Sequence, residues 1–359
     1  MKYLLYLLLI LFPLGQLGRL NILNSEIVFH LNDIVVGLIA AVWLFSKHKQ
    51  NSLLKPLIYF LIAAFISLIA NIQNFSGKEL LIASLYPLRF GAYGLLFFAV
   101  SGLKSPEKKI IKPGLIMASV IIAVAGFIQY IFIPDTRFLT AYNWDDHYFR
   151  LISTFLDPGI TGTILALSLV LLFFQKKLLL PVIYFAMALT YARASYLVYL
   201  VVFAVISFYQ KSLKIFLVAT LILAITIPLL PKTFGEGTNL NRGYSFWGRI
   251  NNWRETVVVW TKAPIFGVGF NTYRYIQNAS SDSHAGAGAD SSILLVLATS
   301  GIPGLVTFLY LLKKIWDQTK SPLFRVTFIG IFVSSWFNNT LLYPFVLEWL
   351  WLLLATENT

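Results

Sequence analysis

The sequence predicts an all-α protein, a polytopic transmembrane helix bundle of about twelve spans with one large extracytoplasmic loop that contains an interfacial amphipathic helix. Three observations predict it. Hydrophobic residues make up 58% of the 359 residues and charged residues only 12%, against about 25% charged in a soluble domain. Apolar runs of membrane-crossing length recur along the whole chain. The one long departure is a polar interval, 231–290, which holds Arg242, Arg249, Arg254, His284 and Asp290.

The apolar runs fall at 3–21, 27–46, 54–72, 79–102, 113–133, 155–175, 178–191, 194–210, 214–230, 290–312, 324–339 and 341–356. Each span with its connection takes about 25 to 30 residues. The chain therefore reads as a single integral membrane domain, 1–359, with 231–290 as a loop within it. The seventh run is short, and little more than Asn339 and Thr340 separates the last two. The opening MKYLLYLLLILFPLGQLG has the charged start and apolar core of a signal peptide, but no small-x-small cleavage motif follows. It is read as an uncleaved first span.

The formal net charge is +13, and its distribution argues against nucleic acid, since no basic helix or aromatic–basic stripe is present. With the N-terminus cytoplasmic, Lys2, Lys47, Lys49, Lys55, Lys104, Lys108, Lys109, Lys112, Lys176, Lys177, Lys211, Lys214, Lys313, Lys314, Lys320 and Arg325 fall on every second loop. The positive-inside rule then puts both termini in the cytoplasm and 231–290 outside it. The opposite face carries mostly arginine: Arg19, Arg137, Arg150, Arg193, Arg242, Arg249, Arg254 and Arg274. Lysine suffices to orient a membrane protein, whereas the planar guanidinium fork suits bidentate recognition of phosphate or carboxylate. An anionic ligand at the outer membrane surface is the expectation. Cysteine is absent, which excludes disulfides, thiol catalysis and Cys-ligated metal.

Arg193 lies in LTYARASYL, a turn that hardly leaves the membrane. Interfacial snorkelling is the bland account, but a guanidinium held beside the bundle argues for function. In YFRLISTFLDPGITGTIL, Asp157 and Pro158 read as the cap and first position of a helix, while Arg150 upstream stays open between a ligand and simple pairing with Asp145 and Asp146 in its own loop. Arg89 and Asp33 sit within apolar runs and either serve a ligand or pair with each other. FWGRINNWRETVVVWTKAP reads as an amphipathic helix at the membrane surface, with Trp247, Trp253, Val257 and Trp260 at helical spacing. Arg249 and Arg254, five residues apart, stand about 140° apart around it. PIFGVGF then supplies a tight glycine turn with no preceding strand, so it is no nucleotide fingerprint. His284 and Asp290 are the candidate bases, against the plain alternatives of a solvated loop histidine and a carboxylate favoured by a helix N-terminus. No clustered His/Asp/Glu spacing suggests metal.

The order of these motifs resembles the O-antigen ligase/Wzy-type polymerase superfamily. It runs from STFLDPGITG through TYARAS, a Trp-rich R-x4-R and PIFGVGF to Asp290, eleven residues before Gly301 in DSSILLVLATSGIPG. GFIQY at 126–130 fits as well. The resemblance is strongest from Arg150 to Gly304. It implies a metal-independent glycosyltransferase without a cofactor, which moves an oligosaccharide from a polyprenyl-pyrophosphate carrier to a hydroxyl of a glycan or glycolipid acceptor. Arg193 with Arg254 or Arg249 would correspond to the residues that hold the pyrophosphate, and Arg150 and Arg89 are further candidates. The ligase branch usually carries His-Asn or His-Ser where this chain has Asp290 and Ser291. Either Asp290 is the base or His284 folds back to serve, and ligase and polymerase stay equally open. The competing reading is a secondary transporter or flippase of an anionic or lipid-linked solute, which Asp33 and Arg89 within the membrane would suit. No internal repeat supports it.

Overall fold

The computed structural model describes residues 1–22, 27–46, 51–175, 177–231, 235–277 and 288–358. The chain is mostly helical, with fifteen α-helices among the described residues. Helix α1 (Lys2–Leu11) gives way to a 3-10 segment, Phe12–Gly18, at Pro13, which lacks the N–H that a continuing helix needs. Strands β1 (Arg19–Ile22) and β2 (Ile27–His30) follow and pair antiparallel, with Arg19 opposite His30. This hairpin corrects the expectation of helix throughout 3–21 and 27–46. Ile22, Ile27, Val28 and Phe29 favour extended backbone, and apolar stretches this short do not distinguish strand from helix.

Helices α2 (Leu31–Leu44), α3 (Leu54–Ala70), α4 (Gly77–Ser101), α5 (Ser105–Lys108) and α6 (Ile111–Phe132) lead to α7 (Pro158–Phe174). As the sequence predicts, Asp157 caps α7: its Oδ1 accepts from the Ile160 N–H at 2.6 Å, and Pro158 occupies the first position. Then come α8 (Leu180–Ala188), α9 (Arg193–Tyr209), α10 (Leu213–Leu229), α11 (Tyr244–Lys262), α12 (Tyr273–Ile276), α13 (Ser292–Asp317), α14 (Pro322–Ser334) and α15 (Pro344–Glu357). Among the described residues, α4, the stretch Ser105–Phe132 and α13 are long and apolar enough to cross a membrane. Shorter apolar helices accompany them, up to 17 residues, or about 26 Å against a hydrocarbon core of about 30 Å. Helix length alone therefore does not reproduce twelve full crossings.

One hydrophobic cluster runs from Leu5 to Ala355. Helix α15 forms its centre, buried continuously from Pro344 to Ala355 and packed on α4. An ion pair between Lys112 and Glu357 and a 2.9 Å hydrogen bond from Gln318 to Ser52 gather lysine-bearing connections at one end of the bundle. The hairpin and the starts of α7 and α13 meet at the other.

Part of the interval 231–290 packs back onto α13. Val268 and Gly269 donate to the carbonyls of Ala298 and Thr299, each at 3.0 Å, and Ile302 donates to Pro264 at 3.1 Å. This seats PIFGVGF in a kink of α13 at Gly301, where φ is +66°. A Cβ there would collide with the Ile265 carbonyl. Gly301→Ala is expected to destabilise the fold by roughly 1–3 kcal/mol from the backbone conformation alone, with the collision adding to that. A lowered thermal midpoint in detergent is the readout, and an unchanged midpoint would contradict this packing.

Candidate functional site

A cavity of about 400 Å³ opens where the hairpin, α4, the start of α7, α12 and the start of α13 converge. Arg19, Arg89 and Arg274 contribute to its wall, as do three carboxylates, Asp145, Asp157 and Asp290. Trp144, Phe155, Phe270 and Tyr343 supply its apolar surface. The Arg19 guanidinium lies 5.5 Å from the Trp144 ring centroid.

Asp290 sits in the loop just before α13. Its backbone N–H donates to Asn252 Oδ1 on α11 at 2.8 Å, and Ser291 caps α13 through Leu294 N–H. Burial raises the Asp290 pKa above that of an ordinary aspartate; Arg249 opposes the shift and Asp157 adds to it. Asp145 is raised in the same way, first by burial, then by Asp157, Asp146 and Asp290, with Arg150 opposing. A carboxylate so placed is a stronger base than one in water.

Next to these acids lies a group of arginines. Arg193, the first residue of α9, donates to the carbonyls of Leu240 (3.2 Å) and Arg242 (2.9 Å) and to Ser245 Oγ (2.5 Å). It thus fastens the segment before α11 to the bundle. Arg242 in turn donates to Gly237, Asn239 and Tyr191 carbonyls. Arg150 Nε donates to Thr190 O at 3.0 Å. Burial and the neighbouring Arg242 bring the Arg150 pKa down to about 10, with Asp157 opposing and Arg249 adding. His147 is held down at about 3 by burial, Arg150 and Arg242, so its imidazole is neutral. Among the described residues, none of Arg150, Arg193 and Arg249 forms an ion pair. Such a concentration of positive potential favours a multiply charged anion.

The sequence candidates separate accordingly. Helix α11, expected at 246–264, spans Tyr244–Lys262, with Thr256 and Val259 buried. Arg249 and Asn252 share that inward face, and Arg249 is half-buried within reach of Asp290, Arg150 and Arg193. Arg254 is exposed; neither it nor Arg150, Arg193 or Arg249 lines the cavity. Arg89 pairs with Asp33 at 2.9 Å and donates to the Val28 carbonyl. Tyr93 and His30 complete that network, with bonds of 3.0 and 3.3 Å to Asp33. Arg89 thereby anchors β2 beside the cavity. Asp33→Ala removes the carboxylate from a largely buried cation that keeps only its Val28 carbonyl bond and the neighbouring rings, so a loss of roughly 1–3 kcal/mol is expected, read as a lowered thermal midpoint. His284 lies outside the described residues.

Sequence reasoning missed that Arg19, Arg274, Asp145 and Asp157 share a wall with Asp290. Arg19 and Arg274 were legible only as members of an arginine-rich face. Among the described residues, no group of three or more His, Cys, Asp or Glu is arranged to hold a metal ion.

No curated protein matches the chain. Residues 151–309, from the turn after Arg150 to the second half of α13, match the model of the O-antigen ligase family, Wzy_C. Over that segment, a little under half of the chain, the protein is similar to the O-antigen ligase family.

Proposed function

We propose that the protein transfers a saccharide from a polyprenyl-pyrophosphate carrier to the hydroxyl of a glycan or glycolipid acceptor, at the outer face of the cytoplasmic membrane. The lysine-bearing connections at the opposite end of the bundle from the cavity support that placement. Arg150, Arg193 and Arg249 hold the pyrophosphate, and Asp290 is the base. The acceptor oxygen attacks the anomeric carbon, and the bond from that carbon to the pyrophosphate oxygen breaks. The hydroxyl proton passes to Asp290, and the pyrophosphate leaves with the bonding electron pair. Guanidinium groups placed at the departing oxygens stabilise the charge that develops there, so the reaction proceeds without a metal or other cofactor.

The observation that carries this reading is the position of Asp290, on the cavity wall and within electrostatic reach of Arg249. Arg254, exposed on α11, and Arg89, tied to Asp33, are left out of the clamp. The same Asp33–Arg89 pair weakens the transporter alternative, because the two buried charges that suggested it neutralise each other. Purified protein in lipid nanodiscs, given a polyprenyl-pyrophosphate-linked oligosaccharide and candidate acceptors in the presence of a chelator, should release carrier pyrophosphate and form glycosylated acceptor. Movement of the intact lipid-linked saccharide across a bilayer, with no bond broken, would favour the flippase instead.

A further inference from the structure

We propose that the cavity is the acceptor-sugar subsite and that Asn338 and Asn339, in the turn between α14 and α15, read neighbouring hydroxyls of a pyranose there. The inference rests on the glycan-transferase reading and assigns its second substrate.

Asn338 Nδ2 and Asn339 Oδ1 are buried and have no hydrogen-bond partner among the described residues. Both residues line the cavity. A buried amide left unpartnered carries its full desolvation cost, so a ligand that completes it gains what the apo protein lacks. Whichever way each amide is turned, the pair offers both donors and acceptors. Neighbouring sugar hydroxyls, each a donor and an acceptor, match that pattern; a pyrophosphate, which only accepts, does not.

The turn is fixed relative to Asp290. Ser292 donates through its backbone N–H to Ser335 O at 2.9 Å and through Oγ to Asn338 O at 3.3 Å, and Ser292 Oγ accepts from Leu341 N–H at 3.2 Å. Asn338 N–H donates to Ser334 O at 3.0 Å. A Cβ on Gly288 would stand 3.0 Å from Asn339 Nδ2, so Asn339 lies against the backbone that delivers Asp290. On the other side, a Cβ on Gly159 would stand 3.4 Å from Asn338 Nδ2 and 3.1 Å from Asp157 Oδ1. The amides thus lie between the cap of α7 and the base. A cavity of about 400 Å³, walled by aromatic and aliphatic side chains with charged and amide groups set among them, has the size of a small-ligand site. Its aromatic walls, Trp144 and Tyr343 among them, suit the C–H faces of a sugar ring. The arginine group around Arg193 and Arg249 is left to the donor.

The test uses the full chain in nanodiscs, with the methyl pyranosides of glucose, galactose and mannose as acceptor probes and undecaprenyl pyrophosphate as the donor probe. Binding is followed by tryptophan fluorescence, supported by calorimetry. At least one glycoside should bind saturably without displacing undecaprenyl pyrophosphate. Asn338→Ala and Asn339→Ala should each weaken it by about tenfold. Deoxy analogues of that glycoside carry the decisive reading. The analogue that lacks the hydroxyl read by Asn338 should bind wild type more weakly, but should bind Asn338→Ala no worse than the parent sugar does. Asn338→Asp keeps the shape if the alanine variant folds poorly, and the deoxy series on wild type needs no variant. No saturable glycoside binding, alanine and aspartate variants that bind as wild type does, or displacement of the glycoside by undecaprenyl pyrophosphate would each overturn the proposal. Glycoside binding that depends on both asparagines, in a protein that performs no transfer, would overturn the transferase reading while leaving the subsite in place.

Discussion

Asp290→Asn is expected to slow transfer by about 10²–10⁴-fold while leaving the fold and carrier binding intact. The substitution keeps the shape of the side chain, and the hydrogen bond from the Asp290 backbone N–H to Asn252 does not depend on it. What disappears is the capacity to accept the acceptor's proton. The pH profile supplies a second, independent readout. Burial raises the Asp290 pKa above the ordinary 3.8, so the base is protonated and idle below that raised value and active above it. The acid limb of the rate profile should therefore stand above that of an exposed aspartate. Asp157 pushes the Asp290 pKa up, so Asp157→Asn should move the limb down in pH. Asparagine caps a helix about as well as aspartate, so α7 should survive that change. Transfer that persists in Asp290→Asn but is abolished in His284→Ala would move the base out of α13's approach and into the segment around His284.

What was legible in the sequence divides along physical lines. Local rules found what local chemistry determines. Asp157 and Pro158 open α7 because a cap and a missing N–H suffice there, and the Trp-rich stretch forms α11 at nearly its expected limits. The two charges set within apolar runs, Asp33 and Arg89, pair because each is too costly alone. Three things were not legible. The hairpin at 19–30 was hidden, because its short apolar runs carry no period that separates strand from helix. The choice between Arg249 and Arg254 was open, because 140° of separation shows only that they point differently; packing of Thr256 and Val259 against the body decides which one faces inward. The cavity itself unites Arg19 with Asp290 and Tyr343, and no spacing rule reaches across most of a chain. The family match over 151–309 covers the arginines of α9 and α11 and Asp290. It does not reach the hairpin, Arg89 or the asparagine turn that close the cavity.

Arg249→Ala is expected to lower transfer by about 10²–10³-fold, the usual effect of removing one preorganised donor from a developing oxyanion, whereas Arg254→Ala should change it by less than about twofold. Both arginines lie on α11 with a tryptophan one or two residues before them, so anchoring to lipid headgroups predicts equal and small effects. The geometry predicts unequal ones, because Arg249 is on the face with Asn252, which holds the Asp290 backbone, while Arg254 is exposed. Arg249→Lys tests what the side chain contributes: charge alone would restore most of the rate, while a bidentate grip would not be restored. Arg249 also holds the Asp290 pKa down against burial. Its removal should move the acid limb of the rate profile to higher pH, opposite in sign to Asp157→Asn. Headgroup anchoring produces no such shift. A limb that stays in place in Arg249→Ala, with Arg254→Ala equally slow, would show that α11 serves the membrane and that the pyrophosphate is held elsewhere.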